Sequence, residues 1–232
     1  MILELRNISK KYKKKIALSP VDLTINKGEC IVLCGGNGAG KSTMIKILTG
    51  IEKSSSGQVV FHSKKKKPFA YMPDQMNFPP EFTPIEILNY YGTFLNTSKE
   101  RIQEVLVDVG LWEKRNQRVG GFSKGMSQRL NLAQCLLANT DVYILDEPTN
   151  GLDPYWVIQF KEVIQSLKKQ EKTVIVSSHI MRDAIEIADK VIILFNGKLK
   201  SFGTLECIYH DYGCKSLEEV FLSIHQKEKS TS

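Results

Sequence analysis

The chain has 232 residues, 42% of them apolar and 25% charged, an ordinary balance for a globular protein with one sizeable core or a core plus a subdomain. No apolar stretch approaches the roughly twenty residues of a membrane span, and Met1-Ile2-Leu3-Glu4 begins no signal peptide. The formal charge of +7 gathers at Lys10-Lys11, Lys13-Lys14-Lys15 and Lys64-Lys65-Lys66-Lys67. Without interleaved aromatics or a nucleic-acid motif, the 64–67 run reads as a solvated loop tip, with membrane-surface proximity second. Cysteines at 30, 34, 135, 207 and 214 form no CxxC or Cys/His cluster, so they read as reduced, mostly packed thiols in cytosol.

Residues 2–8 and Val21–Ile25 alternate like half-exposed strands, and Asn26-Lys27-Gly28-Glu29 turns into the apolar run Cys30–Cys34, a buried strand. There follow Gly35-Gly36-Asn37-Gly38-Ala39-Gly40-Lys41-Ser42-Thr43 and then Met44, Ile45, Ile47 and Leu48 at the spacing of one helical face. Strand, glycine-rich turn and helix is the context in which G-x-x-x-x-G-K-[ST] cradles phosphates. Glycines 35, 38 and 40 are expected at positive φ, aiming successive N–H groups inward, with the helix N-terminus adding positive dipole. Lys41 would reach the β- and γ-phosphates and Ser42 would hold Mg²⁺. The expected ligand is a nucleoside triphosphate.

Val59–Phe61 and Phe69–Met72 read as a short strand pair around the lysine tip, followed by a Pro-rich bend from Pro73 to Pro84. Residues 84–139 carry helical spacing only (Ile85, Ile87, Leu88, Tyr91, Phe94, Leu95, then Ile102, Val105, Leu106, Val109), an inserted helical subdomain. Strands return at 142–145, 173–176 and 191–195, separated by helices at about 155–169 and 181–188. Continuous apolar strands between helices predict a parallel sheet covered on both faces. The tail from Leu205 is expected to be helical, with Leu217, Val220, Phe221 and Ile224 on one stripe and a disordered Lys/Ser-rich tip. The expected fold is α/β, a P-loop NTPase core with an antiparallel β subdomain. Residues 1–83 and 140–204 form the core, 84–139 the helical subdomain and 205–232 the C-terminal helix and tail.

Asp146 and Glu147 end the strand 142–145. Ligands in parallel sheets bind outside the strands' carboxyl ends, so Asp146 should share a mouth with the phosphate loop and hold Mg²⁺ with Ser42. Glu147, one residue on, could polarise a water aligned with the γ-phosphorus. Phe122-Ser123-Lys124-Gly125-Met126-Ser127-Gln128-Arg129-Leu130 opens a further helix, and at this point the chain resembles the ATP-binding-cassette (ABC) ATPases, whose signature loop is usually Leu-Ser-Gly-Gly-Gln. Nearly the whole chain takes part, with the motifs in the family's order. Tyr12 stands where an aromatic stacks on adenine, Asp146-Glu147-Pro148-Thr149 matches the Mg²⁺ aspartate and catalytic glutamate, Asn150–Pro154 with Asp153 matches the D-loop, and His179 matches the switch histidine.

The resemblance implies two chains paired head-to-tail, Ser123, Lys124, Gly125 and Met126 of one capping ATP in the other. It also implies a separately encoded transmembrane permease docked on the helical subdomain, and a cytoplasmic, peripheral place at the membrane. Gly36 replaces a usual Pro, and Lys124 and Met126 replace Gly and Gln, a pattern similar to an exporter branch. After Tyr71-Met72-Pro73, Asp74 stands where the Q-loop glutamine is expected and Gln75 follows, so either could serve the metal or its water. The alternative reading is a soluble ABC ATPase acting on nucleic acid or ribosomes, though the chain carries none of the coiled-coil, zinc or tandem additions usual there.

Overall fold

The computed structural model describes residues 1–178 and 185–229. Its elements run β1 (Leu3–Tyr12), β2 (Lys15–Ile25), β3 (Cys30–Cys34), α1 (Lys41–Leu48), β4 (Ser56–Phe61), β5 (Phe69–Met72), α2 (Pro84–Leu95), α3 (Lys99–Asp108) and α4 (Lys124–Leu136). They continue with β6 (Val142–Asp146), α5 (Pro154–Lys169), β7 (Thr173–Ser178), β8 (Lys190–Phe195), β9 (Lys198–Gly203), α6 (Leu205–Tyr212) and α7 (Leu217–Lys229).

Two sheets form. The first is antiparallel, in the order β2-β1-β4; the second has the order β5-β6-β7-β3-β8-β9, parallel throughout except for β9. The apolar runs of the second sheet split by their period of two into two cores. Cys30, Val32, Cys34, Tyr143, Leu145, Val174, Val176, Val191 and Ile193 face a core shared with α2 to α7. Ile31, Leu33, Val142, Ile144, Ile175, Ile192 and Leu194 face α1 and the antiparallel sheet. Burial on both faces is why these strands are apolar without alternation.

The strand pair expected at 59–61 and 69–72 does not form. β4 joins β1 in the antiparallel sheet and β5 joins β6 at the edge of the parallel one. The rings of Phe61 and Phe69 meet, stacked at 5.3 Å, where the sheets abut. The lysine tip between them is also less free than expected. Lys65 donates to the Asn139 carbonyl at 2.9 Å and lies 3.3 Å from Asp141, and Lys67 donates to the Phe94 carbonyl at 3.3 Å. Cys30, Cys34 and Cys135 are buried, Cys207 is exposed, and no disulfide joins any of the five. β9, which the sequence reading lacks, closes the sheet beside β8.

Helices occupy 84–136 with no strand among them, and α2, α3 and α4 each start on a side-chain cap. Thr83 and Glu86 form a capping box ahead of Pro84, Ser98 caps α3, and Ser123 caps α4. α4 ties this subdomain to the sheet edge: Gln134 Nε2 donates to the Tyr71 carbonyl at 3.2 Å and Asn131 Nδ2 to that of Pro73 at 2.7 Å. Among the described residues no helix is long and apolar enough to cross a membrane.

Candidate active site

β3 ends in the middle of the parallel sheet, and its chain turns through Gly35–Gly40 into α1. Gly38 and Gly40 stand at φ +77° and +107°, a region open to them because they lack Cβ. Gly35 differs from expectation. Its φ is not positive; it is required for room, since a Cβ there would lie 2.6 Å from the Leu194 carbonyl oxygen and 2.8 Å from Ala39 Cβ. The loop is braced from behind by the β8–β9 turn, where Gly197 N–H donates to the Ala39 carbonyl at 2.9 Å. Gly40 caps α1 without a side chain, so the first amides of the helix stay open to an anion. Lys41 is 8% exposed and its ammonium donates to the Gly35 carbonyl at 2.6 Å, which holds a cation against the loop.

Around this loop lies an open cleft of about 730 Å³. Gly36 to Thr43 form its floor; Tyr12, Lys15, Ile16 and Ala17 line one end, and Asp74, Glu147 and Asn150 line the cleft as well, as do Asn196 and Gly197. Tyr12 is 41% exposed at the end of β1, with the Lys10 ammonium 5.0 Å from its ring centroid.

Asp146 and Glu147 end β6 beside this cleft. The Ser177 hydroxyl donates to Asp146 Oδ1 at 2.5 Å and accepts from the Glu147 N–H at 2.9 Å, so one serine on β7 sets both. Burial raises the Asp146 carboxyl above its ordinary value; the Ser177 bond opposes this, the like charges of Glu147 and Asp74 add to it, and Lys41 lowers it. Glu147 has φ +48°, a left-handed conformation costly for a residue with a Cβ. Three bonds impose it: the N–H to Ser177, and a carbonyl that accepts from Gln128 Nε2 at 3.0 Å and from the Asn150 N–H at 3.1 Å. Cys34, at the end of β3, is buried and its thiol is pushed up to about 12, which leaves it unreactive.

The expected residues thus fall into two groups. Tyr12, Gly36 to Thr43, Asp74 and Glu147 come together in the cleft, with Gly35 and Asp146 immediately behind it. Gln75 does not line it; it is exposed in a neighbouring groove with Met76, Phe78, Phe122 and Lys124. Ser123, Lys124, Gly125 and Met126 lie outside the cleft, at the start of α4, where Ser123 Oγ accepts from the Met126 N–H at 3.2 Å. Asp153 accepts from the Trp156 N–H at 3.0 Å and caps α5. His179 lies outside the described residues. Missing from the expected set were Lys15, Ile16, Ala17, Asn196 and Gly197, while Asn150, expected only as the start of the D-loop, lines the cleft as well. Asn196-Gly197 is a visible turn signal, but nothing local says which loop it supports.

A model of the family described as ABC transporter matches residues 18–150, more than half of the chain. The chain belongs to the ABC transporter ATP-binding family. Over 225 residues it is 35% identical to a lantibiotic transport ATP-binding protein of Streptococcus pyogenes, SrtF, covering 95% of this chain and 96% of that one. Among solved structures, an ATP-binding subunit of an ABC transporter superposes with a TM-score of 0.89 at 28% identity, over 97% of this chain and all of that one. The dimeric bacterial ABC transporter cassette MJ0796 superposes with a TM-score of 0.80 at 26% identity, over 88% of this chain and 99% of that one. As an ABC transporter ATP-binding protein, this chain binds ATP and is an ATPase.

Proposed function

We propose that this ABC ATPase powers export through a separately encoded transmembrane permease, working as a head-to-tail pair of identical chains at the cytoplasmic face of the membrane. The observation that carries the pairing is the separation of the site into two parts. The cleft holding Lys41, Asp74 and Glu147 is open, and the Ser123–Met126 loop of the same chain lies outside it on the helical subdomain. A second copy supplies to each cleft the loop it lacks. Ser123 can do this while capping α4: its oxygen accepts from Met126, and its hydroxyl hydrogen remains to donate to a γ-phosphate.

Within one cleft, Tyr12 stacks on adenine, the amides of residues 36–43 and the Lys41 ammonium take the phosphates, and Glu147 polarises the attacking water. Ser42, Asp146 and Asp74 offer hard oxygen donors; burial raises the Asp146 carboxyl and the like charges of Glu147 and Asp74 add to this, a crowding that a divalent cation relieves, so Mg²⁺ fits this set. When bound, it supplies charge neutralisation between the β- and γ-phosphates. Asp74 takes this role in preference to Gln75 because it is the one that lines the cleft. His179 is assigned to the γ-phosphate from its place directly after β7.

The permease docks where Tyr90 and Phe94, each 63% exposed, stand in edge contact at 5.1 Å on α2. Phe94 borders a groove with Phe69, Tyr71, Tyr91 and the lysines 65–67. An exposed aromatic group of this kind marks a contact surface. Export is favoured by the likeness to SrtF, a lantibiotic transport protein, over nearly the full length of both chains.

The test is Glu147→Gln. With Mg-ATP it should elute at twice the 26.3 kDa protomer mass and turn over at least about 100-fold more slowly. A variant that remains monomeric when saturated with Mg-ATP rejects the pairing. Co-purification of the native chain from membranes with a multi-span protein tests the permease.

A further inference from the structure

Asn150 stands between the cleft and the loop that lies outside it. It lines the cleft beside Asp74 and Glu147, and its side chain is engaged on both sides. Its Oδ1 accepts from Lys124 Nζ at 3.0 Å, and its Nδ2 donates to Asp74 Oδ1 at 3.2 Å. Lys124 opens α4, and its stem lies across Gly151, where a Cβ would meet three of its carbons at 2.8–2.9 Å. Gly125 sits as close, with room for a Cβ only 2.9 Å from the Gly151 carbonyl oxygen. The start of α4 is therefore seated on the turn at 150–152, and one amide hooks that turn to the cleft.

We propose that Asn150 is a positioning residue that reports occupancy of this chain's own cleft to its Ser123–Met126 loop. A carboxamide suits the task because it accepts from an ammonium and donates to a carboxylate at once; aspartate can only accept, and alanine does neither. In the nucleotide-free chain Asp74 holds the amide hydrogens and Asn150 Oδ1 pins Lys124 on Gly151. When Asp74 turns its carboxylate toward the metal of a bound nucleotide, Nδ2 loses its acceptor and the amide rotates. Lys124 is then released, its ammonium free for a phosphate outside its own cleft. The pinning depends on no assigned role; the release rests on the placement of Asp74 at the metal proposed above.

Amide hydrogen exchange of the full chain, read by mass spectrometry over residues 122–128, tests both parts. Without nucleotide, Asn150→Ala should exchange about tenfold faster than wild type in this segment, the loss of one charge-assisted hydrogen bond. Lys124→Met keeps the stem on Gly151 and removes the same bond from its other end, so it should show the same acceleration. Lys124→Met/Asn150→Ala should be no faster than either single variant, as expected of a shared contact. Asn150→Asp keeps an acceptor for Lys124 but has no donor for Asp74, so without nucleotide the segment should stay as slow as in wild type and Mg-ADP should no longer accelerate it. Saturating Mg-ADP, verified by protection of residues 35–43, should accelerate the segment in wild type and leave Asn150→Ala unchanged. Wild-type exchange in both Asn150→Ala and Lys124→Met, effects that multiply in the double variant, acceleration of Asn150→Asp by Mg-ADP, or a wild-type segment indifferent to bound Mg-ADP would each overturn the proposal. Lack of protection at 35–43 would instead count against the cleft as the nucleotide site.

Discussion

Lys41 shows what a nucleotide-free phosphate site must solve. Its ammonium is nearly buried and held by the carbonyls of Gly35 and Gly36, at 2.6 and 3.5 Å, so it is in place before phosphate arrives. Lys41→Ala should weaken ATP binding by about 10- to 100-fold, the worth of charge-assisted bonds to phosphate, measured by calorimetric titration. Asp146 poses the opposite problem. Its carboxyl is raised, so its proton is bound more tightly in the folded chain than in the unfolded one. The stability this contributes is complete below the ordinary value of 3.8 and is lost as pH rises through the raised value. Asp146→Asn keeps the acceptor for Ser177 and removes the charge. The nucleotide-free variant should melt above wild type at pH 7, with the gap closing toward pH 4, and should lose Mg²⁺-dependent turnover. A melting gap that widens on acidification would contradict the cause given for the shift.

At the scale of elements, one contact between the helical subdomain and the core is a cation against a ring. The Arg129 guanidinium on α4 lies 3.9 Å from the centroid of Trp156 on α5 and donates to the carbonyls of Val109 and Gly110, at 3.0 and 3.1 Å. Gly110 has φ +61°, and a Cβ there would fall 1.9 Å from the Trp156 ring. Three segments far apart in sequence thus close on each other without slack. Arg129→Ala loses the stacking and both bonds, about 2–3 kcal/mol together. For a chain of this length that lowers the thermal midpoint by roughly 4–12 °C, measurable by circular dichroism. Gly110→Ala should cost at least as much, since the indole must move.

Across the whole molecule, two surfaces have separate work under the proposed function: the cleft face meets a second copy, and the α2 face meets the permease. Tyr90→Ala/Phe94→Ala changes exposed rings remote from the cleft. It should abolish co-purification with the membrane partner and leave ATP affinity and the Glu147→Gln dimer unchanged. Loss of the dimer in that variant would mean that the two surfaces are not independent.

The glycine-rich loop, the buried strands, the helical stretch 84–136 and the caps at Thr83, Ser98 and Ser123 are written in local sequence. Each depends on the conformations open to one residue, or on a period of two or 3.6 within a short window. That suffices for the α/β class and for the floor of the cleft. Sheet neighbours are another matter: nothing within Val59–Met72 reveals that β4 pairs with β1 and β5 with β6, because the two strands carry similar apolar residues and differ only in what lies opposite them. Gly35 is small because of Leu194, Glu147 is held in its costly conformation by Ser177 and Gln128, and Asp74 rather than Gln75 lines the cleft where Asn131 on α4 grips Pro73. Each of these is a contact between groups distant along the chain, with energy that exists only once the sheet has brought them together, so only the tertiary structure could decide them.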